Sequence, residues 1–138
     1  MRRPSATLLA LLPLLGVAHA QGLKAVRPLP GYVCMALTLT PEQTADPTRG
    51  VPVRDIPSLS APVASWAPSM LVVPVPQQPA AGFLQVVFAD GHKGWVQAAA
   101  LKPWNSPTNP SRRCVPSVMS DGAIGFGFQK TRPHLPEN

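Results

Sequence analysis

The chain has 138 residues, 45% of them hydrophobic, with 19 prolines, 10 glycines and 12 Lys or Arg against 6 Asp or Glu, a formal charge of +6. That length fits one domain, and no 3.6-residue periodicity runs through it, so a helical fold is not expected. The basic residues are dispersed along the chain, whereas nucleic-acid binding gathers them on one face; that function class is set aside.

Residues 1–20 combine a positive start at Arg2 and Arg3, an apolar run from Leu8 to Val17 and the small-x-small end Ala18-His19-Ala20. This pattern predicts a secretory signal peptide cut before Gln21. Its apolar run is too short for the ~20 residues a bilayer requires, so no membrane span is expected once it is removed. Processing takes away Arg2 and Arg3, which leaves a modest basic excess. Such an excess suits a soluble surface, or attraction to an anionic envelope polymer. The predicted location is periplasmic or secreted.

The segment QGLKAVRPLPG, residues 21–31, predicts an irregular lead-in. YVCMALTLT, Tyr32 to Thr40, is dense in β-formers and predicts the first strand. PEQTADPTRG, Pro41 to Gly50, reads as a loop that could open with one helical turn. From Val51 to Leu101 the chain is proline-punctuated and β-like, with strand candidates at Ala61 to Trp66 and Met70 to Val75. Pro62, Pro68, Pro74 and Pro76 confine these runs to edges, bulges or strand ends, because proline supplies no ladder donor.

GFLQVVFADGHKGWV, residues 82–96, predicts a hairpin turning at Asp90-Gly91. A two-residue type I′ turn would set Val86 against Trp95 and place Leu84, Val86, Phe88 and Trp95 on one face. A G1-bulge turn would shift that register by one. KPWNSPTNPSRR reads as a surface linker, and CVPSVMSDGAIGFGF as a second hairpin around Asp121-Gly122, its Gly-Phe alternation suited to a closely packed strand. The last ten residues, QKTRPHLPEN, are expected to be disordered.

Cys34 and Cys114 are the only cysteines. An oxidising compartment allows them one intramolecular pairing, and the long loop so closed would stabilise the fold by about 4 kcal/mol. Free or intermolecular thiols are the alternative.

From Val51 to Trp104 the order of landmarks resembles bacterial SH3-like (SH3b) domains. VPVRDIPS matches the opening L-N-V-R-x-x-P-S at Val53, Arg54, Pro57 and Ser58, and GFLQVVFADGHKGWVQAAAL resembles the closing W-x-x-V-x-x-x-D-G-x-x-G-W-V-x-x-x-x-L at Val86, Asp90, Gly91, Gly94, Trp95, Val96 and Leu101. Phe83 stands where the family usually has tryptophan, and the glycine between its middle strands is missing. The resemblance implies a mainly β chain: a small SH3-like antiparallel barrel of five or six strands over 51–104, an N-terminal extension with one strand over 21–50, and a C-terminal extension and flexible tail over 105–138. Such modules commonly serve targeting or binding in cell-envelope proteins, without catalysis of their own.

The residues themselves point the same way. Outside the signal segment the histidines are His92, beside a turn, and His134, in the tail, and neither has neighbouring ligands for a metal or a partner thiolate for peptidase chemistry. No G-x-S-x-G surrounds a serine, and GAIGFGF lacks the lysine and helix start of a phosphate loop. No enzyme activity, metal or cofactor is expected. The candidates for recognition are the aromatics Trp66, Phe83, Trp95 and Trp104, whose flat faces could stack on sugars or proline-rich peptides. Phe83 and Trp95 suit the core at least as well, and Trp104 suits either packing under the tail or exposure. Arg54 is a further candidate, with an ion pair to Asp55 or Asp90 as its structural alternative. The expected function is passive recognition of a peptide, a peptidoglycan fragment or an envelope protein. A structural accessory or inhibitor that inserts a loop such as Val73 to Pro79 into an envelope enzyme is the rival.

Overall fold

The computed structural model describes residues 22–130. The signal peptide read over 1–20 and the tail beyond Lys130 lie outside the described residues. Within them the fold is mainly β, built from antiparallel sheets. Tyr32–Leu37 (β2), Met70–Pro74 (β5), Phe83–Val87 (β6), Lys93–Gln97 (β7) and Leu101–Pro103 (β8) form a five-stranded sheet in the order β7-β6-β5-β2-β8. Ala25–Pro28 (β1), Arg112–Met119 (β9) and Ile124–Lys130 (β10) form a second sheet in the order β1-β9-β10. Pro52–Val53 (β3) and Ser65–Trp66 (β4) make a short ribbon. No closed barrel is present among the described residues; β7 and β8 are the two edges of the larger sheet.

Alternation along the strands decides what is buried. Met35, Leu71, Val73, Leu84, Val86, Val96 and Leu101 point to one side of the five-stranded sheet, where Val51 and Val53 from the ribbon complete the core. Leu71, Val73, Val86 and Val96 are almost wholly removed from solvent, and each such side chain contributes about 1.5–3 kcal/mol. The opposite parity carries Cys34, Val72 and Val87, which are buried as well. Cys34 is joined by a disulfide to Cys114 of β9, and Ile124 and Phe126 of β10 share a cavity wall with Val72, Val87 and Phe88. The second sheet therefore lies over the outer face of the first, and the larger sheet is covered on both sides.

Local chemistry accounts for the turns. Thr40 caps the helix Pro41–Ala45 (α1) reciprocally: its hydroxyl accepts the Gln43 N–H at 3.2 Å while the Gln43 side chain accepts the Thr40 N–H at 3.0 Å. Both hairpin turns use one design. In the first, the N–H groups of Gly91 and Phe88 donate to the carbonyls of Phe88 and His92, and Asp90 accepts the His92 N–H. In the second, Gly122 and Met119 donate to the carbonyls of Met119 and Ala123, and Asp121 accepts the Ala123 N–H. Gly91 and Gly122 have φ of 87° and 83°, the left-handed conformation that closes a G1-bulge loop. The Ile124 N–H donates to the Ala89 carbonyl and ties the two turns together.

The bulge settles the register of the first hairpin. Val86 lies opposite Gly94, and Trp95 lies opposite Gln85, so Trp95 leaves the face of Leu84 and Val86 that the two-residue turn would have given it. Four other expectations are corrected. The lead-in holds β1, an edge strand, where proline is tolerated. The segment read as a linker begins with β8, paired to β2 through Met35↔Pro103, Ala36↔Lys102 and Leu37↔Leu101. Gln129 and Lys130, read as tail, pair with Arg113 and Arg112 in β10. Of the strand expected over Ala61 to Trp66, only Ser65 and Trp66 form one.

Candidate functional site

The five candidate residues do not line one groove. Phe83 is 3% exposed, so its ring is packing material. Trp104 is half-buried against Phe128, ring centroids 5.4 Å apart, and the Arg112 guanidinium sits over the other partner of that contact, 4.5 Å from the Phe128 ring. These contacts place Trp104 beneath the C-terminal hairpin. Trp66 stands on β4 opposite Pro52 and is 56% exposed.

Arg54 and Trp95 meet through their backbones. The Arg54 N–H donates to the Trp95 carbonyl at 3.0 Å and the Trp95 N–H donates to the Arg54 carbonyl at 2.8 Å, which fastens the ribbon to the β7 edge. Gly94 makes that approach possible: a Cβ there would lie 2.5 Å from Val53 Cγ1 and 3.3 Å from Phe88 Cε2. The Arg54 guanidinium donates to the Ala61 carbonyl and spans the loop between β3 and β4. The ion pair expected with Asp55 or Asp90 is not formed; the ion pairs among the described residues join Arg49 to Asp46 and His92 to Asp90. The braced loop leaves Ile56, Leu59 and Val63 exposed.

A cavity of about 100 Å³ opens beside Trp95. It exists because β5 and β6 pair only at Val72↔Val87, whereas β6 and β7 pair at five positions. Toward the Pro74 end of β5 the proline-rich loop takes the place of a continued ladder. Pro74, Pro76, Gln77, Gln78, Gln85 and Trp95 line the opening, and none of its lining residues is charged. Gln77 donates to the Met35 sulfur at 3.8 Å, which holds the loop against the sheet. The segment read as an insertion loop is therefore a wall of this cavity. Sequence reasoning found Trp95 and missed the glutamines; the adjacent pair in VPVPQQP and the lone polar residue in FLQVV were the available signals.

Among the described residues no group of three His, Cys, Asp or Glu side chains is placed to hold a metal ion. No helix there is long and apolar enough to cross a membrane. Comparison with known proteins gives no matching family model, no matching curated protein and no matching solved structure.

Proposed function

We propose that the chain is an exported, non-catalytic binding or scaffold module of the cell envelope, built on an SH3-like barrel and acting in the periplasm or outside the cell. The observation that carries this reading is the strand order β7-β6-β5-β2-β8 with the ribbon fastened to β7 at Arg54↔Trp95. The resemblance implies five or six antiparallel strands within 51–104; β5, β6, β7 and β8 come from that span, and Val51 and Val53 fold over the inner face of their sheet, which supports the reading. β2, expected in an N-terminal extension over 21–50, lies instead between β5 and β8 and is a central strand of that sheet. The disulfide is consistent with a compartment outside the cytoplasm.

Recognition would use the neutral cavity beside Trp95, with dispersed basic residues assisting on anionic surfaces. The partner in this proposal is peptidoglycan. Incubation of the processed protein with purified, protein-free peptidoglycan should leave it in the pelleted fraction at low salt. Complete recovery in the supernatant under those conditions would remove the reading.

A further inference from the structure

Resting on the reading as an envelope module, we propose that the cavity between β5 and β6 is a subsite for one neutral sugar ring, stacked on Trp95 and hydrogen-bonded by Gln77, Gln78 and Gln85. The charge state of the walls comes first. In a chain with twice as many basic as acidic residues, the cavity is lined entirely by uncharged residues. An ionic ligand entering it would lose water and gain no counter-charge. A neutral, strongly hydrogen-bonding ligand meets no such cost.

The polar groups narrow the class. Each glutamine amide offers a carbonyl acceptor and an NH₂ donor, and a sugar hydroxyl is donor and acceptor at once. Three amides reach the opening from two separate elements, the loop after β5 and the middle of β6. Among the described residues the amides of Gln78 and Gln85 have no hydrogen-bond partner within the protein, so both are available to a ligand. Trp95 faces Gln85 directly across the β6–β7 ladder. Its half-buried indole supplies the apolar, aromatic surface on which the C–H face of a pyranose packs.

A proline-rich peptide is the weaker occupant. Such peptides dock in grooves lined by several aromatic rings, and Trp95 is the one aromatic residue lining this cavity. The cavity admits one edge of a ring, the remainder lying outside it against Trp95. The cavity's 100 Å³ corresponds to about three displaced waters at ~30 Å³ each, room for part of one ring and its substituents.

The test is an NMR titration of the processed full chain with N-acetylglucosamine trimer, a neutral sugar. Shifts should map to the Trp95 indole N–H and the side-chain amides of Gln77, Gln78 and Gln85. Affinity should be the same at low and high salt, because no charge takes part. Gln85→Ala and Trp95→Leu should each weaken binding about tenfold or more, while Trp66→Ala should leave it unchanged; thermal melts establish that each variant is folded. Absence of shifts at millimolar sugar, or shifts centred on Trp66 or Trp104, would overturn the subsite. If the chain still sediments with peptidoglycan in that case, the subsite fails and the envelope-module reading stands. If it does neither, both fail.

Discussion

Asp90 shows how much a single carboxylate can organise. It accepts the His92 N–H at 3.0 Å and also contacts the His92 ring Nδ1. The backbone bond first, and the side-chain bond second, hold its carboxyl below the ordinary value of 3.8. A carboxyl whose folded value is depressed stabilises the fold above its unfolded value, and that contribution is lost as pH falls through the lower folded value. The group is fully exposed, so the consequence is local. In an NMR pH titration the Asp90 carboxyl should have its midpoint below 3.8, and the protection of the His92 amide, taken relative to its intrinsic exchange rate, should fall as pH drops through that midpoint. Asp90→Asn, which retains an acceptor oxygen and does not titrate, should remove that step in the protection. A midpoint at or above the ordinary value would show that these bonds do not form in solution.

Among the elements, the crossing of the ribbon over β7 is the most exacting contact. Val53 and Arg54 pass so near Gly94 that no side chain fits between them. Gly94→Ala should force Val53 aside and destabilise the fold by about 1–3 kcal/mol, as overpacking of a filled interior does. Differential scanning calorimetry would read this as a lower melting temperature, and an unchanged one would mean the ribbon does not sit against β7. Separation along the chain decides what could be read in advance. The Asp-Gly steps and the β-formers around them act within a few residues, so both hairpins were legible, whereas over Pro41 to Gly50 only a loop with one possible helical turn was, and the Thr40 cap of α1 went unread. β1 and β8 were hidden because each contains a proline and is held in place by a partner distant in sequence, Met119 for Ala25 and Leu37 for Leu101. Trp95 could be singled out by type alone. Gln77, Gln78 and Gln85 could not, because what gathers them is the early end of the β5–β6 ladder, a tertiary event.

At the scale of the molecule the two sheets stand in unequal positions. Every member of the main core cluster lies between Met35 and Leu101, so the five-stranded sheet keeps its inner core whatever happens to β1, β9 and β10. The smaller sheet depends on its seat: the Cys34–Cys114 bond, the Ile124 N–H to the Ala89 carbonyl and the Trp104–Phe128 contact. The bond closes a separation of 80 residues, for which loop-closure entropy gives about 4 kcal/mol. In a Cys34→Ser, Cys114→Ser double variant that stabilisation disappears, and the loss should fall unevenly. Amides of β9 and β10 should exchange faster than those of β6 and β7, and denaturant unfolding should shift to lower concentration with the smaller sheet released first. Alkylation of the untreated wild-type protein should meanwhile label neither cysteine until reductant is added. Exchange that rises equally in both sheets would instead mean that the outer face of the larger sheet, with Val72 and Val87 on it, cannot stay folded without its cover, and that the molecule unfolds as one unit.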